Sequence, residues 1–176
     1  MARKAATATI GRIMNIATKL IVGLAVAAIG VFAAALAAPH RPAIEAKVTT
    51  LDGRTVPLDE LRGKVTVVNF WATWCGSCIK EMPRIVEAHR KYAARGYETI
   101  AVAVRDRKEA VVAYSTKEAL PFTVAMDTGE AAQRFGNIRV TPTTFVINRE
   151  GRVIKRFVGE PDWAQFDALI EKTLAD

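Results

Sequence analysis

The sequence predicts an α/β fold for residues 44–176, with a mainly parallel sheet flanked by helices, behind an apolar N-terminal segment. Two apolar runs rich in β-branched residues, 64–70 and 97–104, have the composition of buried strands. Stretches suited to helices follow both runs, and strand-helix-strand units place consecutive strands parallel. A chain of 176 residues suits one domain with an appendage.

The first half of this domain is predicted to contain one hairpin, one buried strand and one long helix. Residues 46–51 and 54–56 flank the turn Asp52-Gly53, which is typical of a hairpin. The buried strand 64–70 comes next. The helix is expected over 76–95, and Gly96 ends it.

The second half alternates strands and helices before it closes with a hairpin and a helix. After the strand 97–104 we expect a helix at 108–118, a strand at 122–126 and a short helix at 130–135. The hairpin pairs 143–147 with 153–158. The closing helix, 161–174, has four apolar residues at near-helical spacing on its core side: Trp163, Phe166, Ile170 and Leu174.

Residues 20–38 form a run of 19 residues without a polar or charged side chain. As a helix the run would be about 28 Å long, close to the roughly 30 Å of bilayer hydrocarbon. Four cations and no acid precede it, which predicts a cytoplasmic N-terminus and an exported domain. We therefore expect a basic tip and single-pass inner-membrane anchor over 1–38, a linker over 39–43, and the domain 44–176 in the periplasm.

Two alternatives to the anchor stay open. Ala35-Leu36-Ala37 is a candidate signal-peptidase site, so the segment could be a cleaved signal peptide that leaves a soluble periplasmic domain. It could also be a buried helix of a soluble protein. The net charge of +7 includes +4 from residues 1–38, and the remaining +3, mixed with acidic residues, does not indicate a nucleic-acid partner.

The chain has two cysteines, Cys75 and Cys78, separated by Gly76-Ser77. A disulfide that closes so short a loop constrains the unfolded chain little, which disfavours a purely structural bridge. A closed zinc site needs four ligands, and His40 and His89 are the only histidines, so no metal is expected. The remaining interpretation is a redox-active pair that needs no further cofactor.

The position of this pair suits thiol chemistry. A C-x-x-C at the end of a strand enters the first turn of a helix, where unpaired N–H groups and the positive end of the dipole stabilise a thiolate. Cys75 is predicted to be the attacking and more exposed thiol. Cys78, three residues later on the same helical face, is placed to resolve a mixed disulfide.

Several motifs together resemble the thioredoxin superfamily, and specifically its membrane-anchored TlpA/ResA/DsbE-like thiol-disulfide oxidoreductases. They are VVNFWATWCGSC at 67–78, EMP at 81–83 and VTPTTF at 140–145, with LDELRGK at 58–64 and Phe135-Gly136 in support. The resemblance covers about residues 44–174. It implies a thioredoxin-like fold with a central mixed sheet flanked by helices.

The resemblance also implies roles for individual residues. The Thr141-Pro142 bond would be cis and lie beside Cys75, with the Thr141 main chain free to pair with an extended substrate. Trp74 would cover the site. Glu81 would take part in proton handling at the cysteines, although a solvated helix carboxylate is the alternative. Asn69 stands where thioredoxin itself has a buried aspartate, and an amide cannot titrate.

By resemblance, the first functional hypothesis is a monomeric reductase. Its substrates would be disulfides of apocytochrome c or of other exported proteins, and its electrons would come from a transmembrane thiol carrier. Gly76-Ser77 leaves the direction open, so an oxidase or isomerase is an alternative. A non-catalytic redox-sensing module is another. A peroxidase is disfavoured because Ala72 replaces the threonine it needs. Residues 137–143 also lack the GVYGxPE stretch usual in cytochrome-dedicated members.

Overall fold

Seven strands form one sheet in the computed structural model, which describes residues 45–176. The expected apolar segment 20–38 and linker 39–43 lie outside the described residues. Within 45–176, no helix combines the length and apolar composition that a membrane crossing requires. The strands are β1 (Lys47–Thr50), β2 (Thr55–Pro57), β3 (Val65–Trp71), β4 (Tyr97–Ala103), β5 (Thr123–Met126), β6 (Thr143–Ile147) and β7 (Val153–Val158).

Within the same described residues, four α-helices accompany the sheet: α1 (Gly76–Tyr92), α2 (Lys108–Lys117), α3 (Glu130–Arg134) and α4 (Trp163–Ala175). All the elements predicted for this part of the chain are present; some of their ends coincide with the predicted ones, and the others differ by one to three residues. The largest differences lie at the ends of α1 and α4. After α1, Ala93–Arg95 form a 3-10 helix instead of a further α-helical turn. Gly96 follows with a φ of +85°, a conformation that suits glycine.

The sheet is mixed, with the order β2-β1-β5-β4-β3-β6-β7. Only the β3–β4 and β4–β5 pairs are parallel within the described residues, and these are the strands joined by α1 and α2. The expectation of a mainly parallel sheet is therefore wrong. Hairpins add β2 and β7, and β1 and β6 join antiparallel to the central strands, so the mixed sheet implied by the resemblance is confirmed.

Strand β3 lies inside this sheet, and all seven of its residues are buried. Val68 and Phe70 point to one face, where Phe70 packs against Phe135 with ring centroids 5.2 Å apart. Val67 and Trp71 point to the other face, toward α1 and α4. β3 therefore contributes to the cores on both sides of the sheet.

Helix α4 closes the second face as predicted. Phe166, Ile170 and Leu174 are buried against β3 and α1, and Trp163 is half-buried beside them. The ring of Phe166 lies 5.4 Å from that of Trp163 and 6.0 Å from that of Phe157, between centroids. This packing fixes the C-terminal helix beside the helix that carries both cysteines.

The two edges of the sheet differ in character. β2 has three residues and ends at Pro57, which has no N–H to donate. β7 is longer, and Lys155 and Arg156 on it are exposed. Its pairing with β6 is interrupted by a bulge between Val146 and Ile147.

Replacing Ile85 with alanine should destabilise the domain by about 2–5 kcal/mol, because Ile85 is fully buried between α1 and the sheet. The measurement is the urea midpoint of the oxidised protein. Val112→Ala on α2 is the matched control, and since Val112 is partly exposed its effect should stay within about 0.5 kcal/mol. Equal shifts in the two variants would contradict this packing.

Candidate active site

Cys75 and Cys78 are joined by a disulfide at the N-terminus of α1, with their Cα atoms 5.2 Å apart. Cys75 is the N-cap residue, and its Sγ accepts a hydrogen bond from the backbone N–H of Cys78 at 3.3 Å. The Ser77 hydroxyl lies 3.4 Å from the same sulfur. Cys75 is 7% exposed and Cys78 is completely buried, which confirms that Cys75 is the more accessible of the two.

The turn that precedes Cys75 is held by the neighbouring parallel strand. β3 ends at Trp71 and β4 at Ala103, so the residues after them meet at one edge of the sheet. There the backbone N–H and the hydroxyl of Thr73 donate to the Asp106 carboxylate at 2.5 and 3.0 Å. Asp106 thus holds the turn that leads into Cys75.

The Thr141-Pro142 peptide bond is cis and faces the disulfide, as the resemblance implied. The Thr141 carbonyl oxygen lies 3.5 Å from Cys75 Sγ. Pro142 is buried, and its carbonyl accepts a hydrogen bond from Gly159 N–H at 2.8 Å. The main chain that begins β6 is therefore next to the accessible sulfur.

Trp74 lies on the surface beside Cys75 and is 59% exposed. Its indole N–H donates to the Arg105 carbonyl at 3.0 Å. Val140, directly before Thr141, is 53% exposed, and Val158, paired with Thr143 in the sheet, is 57% exposed. We call Trp74, Val140 and Val158 the apolar rim. Exposed apolar groups concentrated in this way mark contact surfaces.

Glu81 is fully buried on α1, so its interpretation as a solvated carboxylate is wrong. The Asn69 side-chain amide donates to Glu81 Oε1 at 2.9 Å and to Thr144 Oγ1 at 2.9 Å. Burial raises the pKa of Glu81 to about 7, the hydrogen bond from Asn69 opposes this rise, and the negative charge of Glu160 adds to it.

This carboxyl group can exchange a proton near neutral pH at the helix that carries the cysteines. Glu81 lies three residues after Cys78, so the two side chains are neighbours on one helical face. Its Oε2 and the Oδ1 of Asn69 are buried and have no hydrogen-bond partner among residues 45–176. Perturbed carboxyl groups of this kind are typical of sites that transfer protons.

Three residues of this region are not among the predicted site residues: Thr144, Arg105 and Asp106. For the last two a signal was present, because polar residues that follow neighbouring parallel strands meet at the same edge. For Thr144 the sequence indicates only a position in a buried strand and no contact with Asn69. Within residues 45–176, no three His, Cys, Asp or Glu side chains form a group that could hold a metal ion.

Comparisons with known proteins match the same region. The Redoxin family model matches residues 37–170, a span that includes both cysteines and Pro142. The thiol-disulfide oxidoreductase ResA of Bacillus thuringiensis (strain Al Hakam) is 35% identical over 125 residues, which are 71% of this chain and 72% of the relative. ResA of Bacillus thuringiensis subsp. konkukian (strain 97-27) is 37% identical over 126 residues, with the same shares.

A solved structure is also similar. It is the crystal structure of a thiol:disulfide interchange protein of the thioredoxin family from Chlorobium tepidum TLS. The alignment has a TM-score of 0.69 and 33% identity, and it covers 78% of this chain and 99% of that one. The arrangement of sheet and helices is therefore a thioredoxin-like fold.

Glu81→Gln should remove a pH dependence of stability. The folded-state pKa of Glu81 lies above the usual 4.5, so the folded protein retains this proton where the unfolded chain loses it. The unfolding free energy of the wild type, measured relative to that of Glu81→Gln, should therefore fall by up to about 3 kcal/mol as the pH rises from 4.5 to 7. Above pH 7 this difference between the two proteins should stay constant. Urea unfolding of the oxidised proteins measures it. The exposed Glu87→Gln should keep the wild-type profile, and a wild-type profile in Glu81→Gln would contradict the assignment.

Proposed function

Since the chain belongs to the Redoxin family and is a ResA/DsbE-like thiol-disulfide oxidoreductase, we propose that it reduces disulfides of exported proteins through Cys75 and Cys78. The observation that carries this proposal is the contact between Cys75 Sγ and the Thr141 carbonyl, 3.5 Å apart. It brings the accessible sulfur to a backbone segment on which an extended substrate can pair.

The first step is attack by the Cys75 thiolate on one sulfur of a substrate disulfide. A Cys75–substrate disulfide forms, the substrate sulfur–sulfur bond breaks, and the second substrate sulfur leaves as a thiolate that takes up a proton. The first-turn N–H groups of α1 stabilise the Cys75 thiolate, and Cys78 N–H already points at this sulfur.

The second step releases the product and oxidises the protein. Cys78 loses its proton and attacks the Cys75 sulfur, so that the Cys75–Cys78 bond forms as the Cys75–substrate bond breaks. The substrate sulfur leaves as a thiolate and takes up a proton, and the substrate has then gained two electrons and two protons. Cys78 is fully buried, so water cannot readily accept its proton. Glu81, with a pKa of about 7 and one helical turn away, is the proposed proton acceptor.

Substrate binding is proposed to use the backbone first and apolar contacts second. An extended segment would pair with the main chain at Thr141 beside the cis Pro142, as an added strand. The apolar rim would cover side chains next to the substrate cysteine, with Trp74 contributing the largest area. Such recognition depends little on substrate sequence.

The cellular setting completes the proposal. We propose that residues 20–38 anchor the chain in the inner membrane, with the domain from residue 44 in the periplasm and a transmembrane thiol carrier as electron donor. The protein would act as a monomer. Apocytochrome c, which the family resemblance implies, is the narrower candidate substrate, and exported proteins in general are the broader one.

The reduction potential of the cysteine pair tests the proposed direction. If the protein is a reductase, its reduction potential, measured by equilibration with glutathione or dithiothreitol buffers, should be about −250 mV or below, near that of thioredoxin. The full chain in detergent should also accelerate insulin reduction by dithiothreitol, and Cys75→Ser should abolish this acceleration. A potential near −120 mV would instead make the protein a disulfide donor, and equal insulin rates in wild type and variant would exclude catalysis.

A second measurement tests the role of Glu81. Removing a negative charge beside the cysteines favours the thiolate, so Glu81→Gln should shift the alkylation profile of the reduced pair to lower pH. The pH dependence of iodoacetamide alkylation measures the shift, with Glu87→Gln on the exposed face of α1 as the control. Profiles that overlay would leave Glu81 without a part in proton transfer.

A further inference from the structure

We propose that the active-site face favours disulfides with an acidic side chain close to the substrate cysteine, and that Arg105 and Arg139 provide this preference. The inference rests on the proposed function and specifies its substrate class. It follows from the positions, around the disulfide, of cations that form no salt bridge within residues 45–176.

Arg105 lies between the cysteine loop and the segment that leads to the cis-proline. Its carbonyl accepts the Trp74 indole N–H at 3.0 Å. Its guanidinium lies 3.4 Å from the carbonyl of Ile138 and 3.4 Å from that of Arg139. Because Arg139 is only two residues before Thr141, both arginines border the backbone on which a substrate would pair.

The charges on this side are mostly uncompensated cations. Arg105, Arg107, Lys108 and Arg139 are exposed, and across residues 45–176 none of them forms a salt bridge. Two acidic residues lie among these four cations: Thr73 and the backbone N–H of Arg107 occupy the two oxygens of Asp106, and Glu109 is exposed in the first turn of α2. The side is therefore attractive to anions.

Helix α2 adds to this attraction. It begins at Lys108, and in the part of the chain that the structure describes its N-cap residue, Arg107, makes no capping hydrogen bond through its side chain. The first-turn N–H groups of α2 and the positive end of its dipole thus lie next to the same cations.

The opposite side of the cis-proline carries an acid instead. Glu160 follows Gly159, whose N–H bonds to the Pro142 carbonyl, and its carboxylate accepts the Trp163 indole N–H at 3.1 Å. Charge thus changes sign across the site. Cations lie toward Trp74 and Val140, and an acid lies toward Val158, so the acidic residue of a bound segment should point toward Arg105 and Arg139.

The reach of these side chains defines the substrate. An extended segment advances about 3.3 Å per residue, so a carboxylate within two or three residues of the substrate cysteine comes near Arg139. The guanidinium fork binds a carboxylate through two parallel hydrogen bonds. Attraction between exposed charges weakens beyond about 10 Å at 0.1 M salt, so the preference should depend on ionic strength.

The test uses three peptide disulfides that differ only in Glu, Gln or Lys two residues from the cysteine. Their reduction by the full chain in neutral detergent is followed as kcat/KM at about 20 mM and about 300 mM salt. At low salt the Glu peptide should be reduced about threefold or more faster than the Lys peptide, in line with exposed ion pairs. At high salt this ratio should approach one.

Variants test whether the two arginines cause the preference. For each variant the measured quantity is the ratio of kcat/KM for the Glu peptide to kcat/KM for the Lys peptide, because a general loss of activity lowers both values and leaves their ratio unchanged. Arg139→Gln should lower the ratio and Arg139→Glu should invert it. Arg105→Lys should keep it, because the positive charge remains. Arg90→Gln, with its exposed charge about 22 Å along α1 from Cys75, is the control and should match wild type.

The outcomes separate this inference from the function on which it rests. Reduction of all three peptides at equal rates at low salt, or a ratio unchanged in Arg139→Glu, would overturn the acidic preference and leave the reductase proposal standing. If none of the three peptides were reduced, the proposed function would fail and the preference with it.

Discussion

The burial of strand β3 is the constraint on which the rest of the structure depends. All seven of its residues are enclosed, with β4 parallel on one side and β6 antiparallel on the other. This arrangement brings the carboxyl ends of β3 and β4 and the amino end of β6 to one edge. The segments with the two cysteines, Asp106 and the cis-proline therefore meet without any long loop, and rigid elements hold the reactive sulfur in place.

The bond between Asn69 and Glu81 joins the middle of β3 to the helix that carries the cysteines. A buried carboxylate is costly unless it is well hydrogen-bonded, and one amide N–H offsets only part of that cost. The proton therefore stays on Glu81 to a higher pH than on an exposed glutamate. A group that lowers the stability of the fold when ionised is, for the same reason, able to take a proton from a buried thiol.

Local patterns in the sequence predict the elements well because β-branched runs and Gly or Pro positions act over a few residues. Pairing between strands that lie far apart in the sequence is harder to predict from local patterns, as the antiparallel pairing of β1 with β5 shows. Glu81 illustrates the same limit at the site. Helical spacing places it on the face of Cys78, but its burial depends on Asn69 and on the contact of Asn69 with Thr144, 75 residues further along.

The edges of the sheet bear on the tendency of the protein to aggregate. A protein that works on extended polypeptides constantly meets chains able to add to an open strand edge and seed aggregation. Here one edge is three residues long and ends in proline, and the other exposes Lys155 and Arg156 and contains a shift of register in its pairing with β6. Both features discourage strand addition. Under the proposed function, a client chain would then pair at the short backbone stretch beside Cys75, from which exchange chemistry can release it.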